Sequence, residues 1–129
     1  MQTYLAVTPD AFQEASHFCR SMAHVAYRIG PGSVLLRQNL LLKTRGGLLS
    51  VSDLEAPDIS QPEALCAAVL RECGRRSYAG VLLDFEQPPR RDRVLFAQAL
   101  AEQLRASRRT LYLPERYADE VPGGVPLIC

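Results

Sequence analysis

Short apolar runs alternate with amphipathic stretches along almost the whole of this chain, and nothing else in the sequence constrains the fold as much. Strands alternating with helices are the pattern of an α/β protein built on a parallel sheet. Thr3–Val7 reads as the first strand. Thr8, Pro9 and Asp10 then form a helix start, with Phe12, Ala15, Cys19 and Met22 recurring on one face behind them. Residues 23–29 read as the second strand, stopped by Gly30-Pro31-Gly32. Residues 33–36 and 40–42 fit a hairpin-like excursion that ends in a turn at Arg45-Gly46-Gly47.

The second half repeats the alternation. Leu48–Ser52 is a compact buried strand, and Ser60 with Glu63 makes a capping box for a helix carrying Leu65, Val69 and Cys73 and ending near Gly74. Residues 80–86 form the next strand, closed by Gln87-Pro88-Pro89. A helix over residues 91–105 turns Phe96, Ala97, Leu100, Ala101 and Leu104 to the sheet. Thr110–Pro114 is a further strand, a helical turn follows over residues 115–118, and residues 125–129 read as the start of another strand. Five or six such units in 129 residues come to about half of a (β/α)8 barrel of roughly 250 residues. The expected fold is therefore one α/β domain over residues 1–129, a partial barrel forming the N-terminal part of a longer one.

Composition narrows the function classes. The net charge is +1, which gives no field drawing the chain to nucleic acid or to an anionic membrane. No apolar run approaches the roughly 20 residues of a membrane span. The N-terminal residues lack a secretory signal pattern, so a cytoplasmic protein is expected, extracellular or spore-associated if a leader has been removed. Cys19, Cys66, Cys73 and Cys129 contain no C-x-x-C pair, and His17 and His24 are the two histidines. This predicts structural thiols and no metal site. Arg90, Arg91 and Arg93 stand at a helix start, where positive charge opposes the macrodipole.

The stretch Tyr78-Ala79-Gly80-Val81-Leu82-Leu83-Asp84-Phe85-Glu86 carries the chemistry. Alternation puts Leu82, Asp84 and Glu86 on one face and Val81, Leu83 and Phe85 on the other. Two carboxylates therefore share one face at the C-terminal end of an otherwise apolar strand, where parallel α/β sheets hold their catalytic groups. Paired carboxylates push their ionisation apart, which lets one remain protonated as a general acid. The plainer alternative is that both merely end the strand and meet loop N–H groups and arginines.

These residues resemble the signature of family 18 glycoside hydrolases, an aromatic residue and D-G before an alternating D-x-D-x-E on the fourth barrel strand. Tyr78, Gly80, Asp84 and Glu86 match it, and Phe85 stands at its aromatic position. The helix from Asp92 to Leu104 is similar to the one following that strand in bacterial spore-germination-type members, and Leu48–Ser52 resembles their third strand. Residues 24–33 resemble the second strand and its turn. The resemblance implies a substrate-assisted retaining glycosidase acting on N-acetylated glycans of chitin or peptidoglycan type, without a cofactor. Glu86 would protonate the leaving oxygen and Asp84 would orient the acetamido group. Tyr4, Tyr27, Ser50 and Tyr112 are the candidate substrate-binding residues, and for the three tyrosines the alternative is core packing.

Ala79 and Leu82 replace the two earlier motif aspartates, and Ser52-Asp53 stands where two glycines are usual. The alternative reading is therefore a barrel-derived binding or assembly module without activity. A half-barrel would also leave the Leu82 face of its sheet bare, which predicts a two-fold homodimer covering the open sheet.

Overall fold

The computed structural model describes residues 3–7, 24–38, 47–54, 57–121 and 124–128. The helix expected after Thr8, the segment 40–42, Cys19, Cys129 and His17 lie outside the described residues. Seven strands are described: β1 (Thr3–Val7), β2 (His24–Gly30), β3 (Val34–Arg37), β4 (Leu48–Ser52), β5 (Gly80–Asp84), β6 (Thr110–Pro114) and β7 (Val125–Ile128). Two helices, α1 (Pro62–Arg76) and α2 (Arg91–Ala106), and a 3-10 turn, Glu115–Tyr117, join them.

The strands form one mixed sheet in the order β3-β2-β4-β5-β6-β1-β7. Its centre, β2-β4-β5-β6, is parallel as the alternation predicts. The flanks are not. β3 returns antiparallel beside β2, and β1 lies between β6 and β7, antiparallel to both. A barrel would instead set β1 parallel and next to β2. The expectation of an all-parallel sheet is corrected here, because an apolar run of five residues specifies a strand but not its direction.

α1 and α2 pack against each other, α1 also against β3 and α2 against β6. On the side they cover, Val25, Tyr27 and Ile29 of β2, Leu49 and Val51 of β4, Val81 and Leu83 of β5, and Leu111 and Leu113 of β6 join the main core. α2 adds Phe96, Ala97, Leu100, Ala101 and Leu104, the stripe its spacing predicts. α1 adds Leu65, Cys66, Val69 and Cys73. Its ends differ from expectation. Gln61 is the N-cap with no side-chain cap, while Asp58 rather than a capping box takes the Ser60 N–H (3.0 Å). The helix runs past Gly74 to Arg76 and stops at Ser77, whose φ of 56° is left-handed. Gly80 is fixed by close approach: a Cβ there would press on the Thr110 carbonyl oxygen of the neighbouring strand.

On the opposite face, Tyr4, Ala6, Leu48, Leu82 and Tyr112 form a second, smaller buried cluster. Leu82 is 4% exposed within the single chain. Among the described residues this apolar cluster is buried rather than bare, so the argument for a homodimer that rested on a bare face lapses. Among the described residues no helix is long and apolar enough to cross a membrane.

Cys66 and Cys73 are free and buried, and the Cys66 thiol donates to the Phe96 carbonyl oxygen at 3.7 Å. Burial pushes Cys66 up to about 12 and Cys73 up to about 11, above the ordinary thiol value near 8.5. Groups raised on folding stabilise the native state fully below the unfolded value and lose that contribution as pH climbs toward the folded one. The urea midpoint should therefore hold up to about pH 8 and decline between about pH 9 and 11. At pH 8 neither thiol should be alkylated without denaturant; prompt labelling of either, located by peptide mapping, would contradict the buried assignment.

Candidate functional site

The C-terminal edge of β5 carries Asp84 as its last residue, and Glu86 follows two residues on; both are exposed. They line one open cleft of about 350 Å³ with Tyr4, Phe85, Pro114, Glu115 and Arg116. The sheet register explains who meets there. β6 ends beside β5, so Pro114 and the 3-10 turn that follows stand at the same edge. Because β1 runs antiparallel to β6, Tyr4, near its beginning, is opposite Pro114. In a parallel β1 the same tyrosine would have been at the far edge of the sheet.

Tyr4 is 9% exposed, with its ring over the smaller core. Burial raises the ionisation of its phenol, Asp84 adds to the rise, Arg116 pulls partly back and Glu86 adds again. The phenol thus senses both carboxylates and stays protonated, a neutral hydroxyl beside two acidic groups.

The loop bearing Glu86 is held from both flanks. Asp53, directly after β4, accepts the backbone N–H of Glu86 at 2.8 Å on one carboxylate oxygen and that of Gln87 at 3.0 Å on the other. Asp53 is fully buried, and Arg93 of α2 donates to it through Nε at 3.0 Å. From the other side, Arg116 donates to the carbonyl oxygens of Phe85 and Gln87. The Phe85 ring is buried in the main core, where it packs against Phe96 and Tyr117 with ring centroids 6.2 and 6.3 Å apart.

The other sequence-predicted binding residues take different places. Tyr27 is on the helix-covered face, where its hydroxyl donates to Glu72 at 2.8 Å and meets the Tyr78 hydroxyl at 3.2 Å. With its own proton committed to Glu72, Tyr27 accepts from Tyr78. Burial, first of all, and the carboxylate of Glu72 that takes its proton raise its pKa strongly. It shares the face of Val25 and Ile29, so its assignment to the substrate site is corrected. Tyr112 and Ser50 do share the Leu82 face, aligned with Leu82 on its two neighbouring strands, but they lie beneath the cleft and do not line it. Tyr112 is completely buried.

Asp53, Glu115 and Arg116 were not singled out from the sequence. Asp53 had a readable signal, an acidic residue immediately after an apolar parallel strand, the same signature as Asp84. Among the described residues no cluster of three or more His, Cys, Asp or Glu side chains is arranged to hold a metal ion. No protein-family model, no curated protein and no solved structure matches this chain.

Proposed function

We propose that the cleft binds an N-acetylated glycan and hydrolyses it with assistance from the substrate's own acetamido group. The observation that carries this reading is the meeting of Asp84 and Glu86, both exposed, in one cleft with Tyr4 at the C-terminal edge of the parallel strands. The parallel strands β2, β4, β5 and β6 are the part of the sheet that a family 18 barrel would share. Glu86 protonates the glycosidic oxygen as its bond to the anomeric carbon breaks. The acetamido carbonyl oxygen attacks that carbon from the opposite face, and Asp84 orients the acetamido N–H and balances the charge that develops there. Water then opens the resulting ring with its proton going to Glu86, so the anomeric configuration is retained. Tyr4, 9% exposed, lines the cleft with a phenol that stays protonated.

A second reading, a glycan-binding module without turnover, is favoured by one observation. Leu82, two residues before Asp84 on the same face, is buried and apolar. It offers Asp84 no hydrogen-bonding partner along the strand, so the orientation of that carboxylate rests on its surroundings at the strand end.

The deciding experiment offers the protein a chromogenic N-acetylglucosamine oligomer and the same oligomer fully deacetylated. Hydrolysis restricted to the acetylated compound is the expected result. Saturable binding of it without release of chromophore would select the second reading, and neither binding nor release would refute both.

A further inference from the structure

We infer that Asp53 is a positioning residue whose buried ion pair with Arg93 holds the Glu86 carboxyl in the cleft; this rests on the glycosidase reading above. The geometry is specific. One carboxylate binds two consecutive backbone N–H groups, those of Glu86 and Gln87, with one oxygen each at 2.8 and 3.0 Å. Those two hydrogen bonds fix the peptide planes on either side of the Glu86 Cα, and so fix the direction in which the Glu86 side chain leaves the backbone. Arg116 secures the carbonyls of Phe85 and Gln87 from the neighbouring strand's end. The loop after β5 is thus gripped by residues following both β4 and β6.

Arg93 explains how a carboxylate can be kept there without water. Its side chain is 11% exposed and that of Asp53 0%. Arg93 is the third residue of α2, a position where a cation opposes the helix macrodipole. Asp92 beside it accepts the Arg93 backbone N–H at 2.8 Å. A buried ion pair is poor evidence of stabilisation, since two apolar side chains of similar volume often do as well or better. A cation at an unfavourable helix position, spent on a buried carboxylate whose other hydrogen bonds among the described residues go to two loop amides, therefore points to placement of the loop.

The test separates placement from stability and from the function itself. Asp53→Leu with Arg93→Met removes both charges together, so the fold is expected to survive with its cooperative urea transition. Amide hydrogen exchange at Glu86 and Gln87 should then quicken by about 10- to 100-fold, the loss of hydrogen bonds to a charged acceptor, while amides of β4, β5 and β6 keep their protection. Where the wild type hydrolyses the acetylated oligomer, kcat should fall on the order of 100-fold with KM little changed. In a Glu86→Gln background the double replacement should cost no further rate, because Asp53 acts only through Glu86. Unchanged exchange at both amides overturns the inference, as does an equal loss of rate with and without Glu86. A wild type that hydrolyses nothing refutes the glycosidase reading alone, and the exchange measurement still decides the clamp.

Discussion

Glu86→Gln should lower turnover of an N-acetylated chromogenic oligomer by roughly 10²- to 10⁴-fold, the usual contribution of a positioned general acid. That range corresponds to about 3–5 kcal/mol of transition-state stabilisation. Folding should be untouched. The Glu86 side chain is exposed, and what the structure uses of this residue is its backbone N–H on Asp53, which glutamine retains. Glutamine keeps the size and the hydrogen-bonding ends of the side chain but has no acidic proton to give. A substrate whose leaving group is a strongly acidic phenol needs little protonation, so the deficit should shrink with it. If turnover of the ordinary substrate is unchanged, the proton comes from elsewhere, and Glu115 on the same cleft becomes the group to replace.

Much of this candidate site is legible in the sequence. Asp84 and Glu86 stood out because a strand otherwise composed of Gly80, Val81, Leu82 and Leu83 has no structural use for two charges at one end. Alternation then assigned the faces correctly: Val81 and Leu83 are in the helix-side core with Phe85, and Leu82 is on the other side. Tyr4 reached the cleft for a reason the sequence did not contain. A five-residue run carries no direction, and only the antiparallel seat of β1 between β6 and β7 brings its beginning to the end of β5. Tyr27 shows the converse failure. Its own neighbours, Val25 and Ile29, placed it on the helix-covered side, and a count of alternation within β2 would have removed it from the site.

The capping box was lost to local competition. Asp58 takes the Ser60 N–H and also that of Gly32 at 2.7 Å, tying the loop before α1 to the turn after β2. The pairing of Asp53 with Arg93 spans 40 positions. No local pattern encodes a contact of that range. Each half nevertheless broke a local rule, an acid at the end of an apolar strand and a base at the start of a helix. Two such violations of opposite sign in one small domain are candidates for each other.

The energetic weight of that pair sets the other large effect. Arg93→Met alone should cost about 3–5 kcal/mol, because it strands a fully buried carboxylate without its counter-ion. The lost stability is not the worth of the ion pair. It is the penalty of holding the buried Asp53 charge with, among the described residues, two backbone N–H donors left. Removing a cation from the first turn of α2 returns at most about 1 kcal/mol through the macrodipole, too little to compensate. Asp92→Asn is the control: Asp92 is 45% exposed and lies 3.5 Å from the Arg93 guanidinium, so its loss should cost no more than about 1 kcal/mol. Urea denaturation at pH 7 reads both, with the slope of the transition unchanged if only native-state stability moves. A deficit below about 1 kcal/mol for Arg93→Met would mean that the two amides suffice to hold the Asp53 charge, and the guanidinium would then be packing material only.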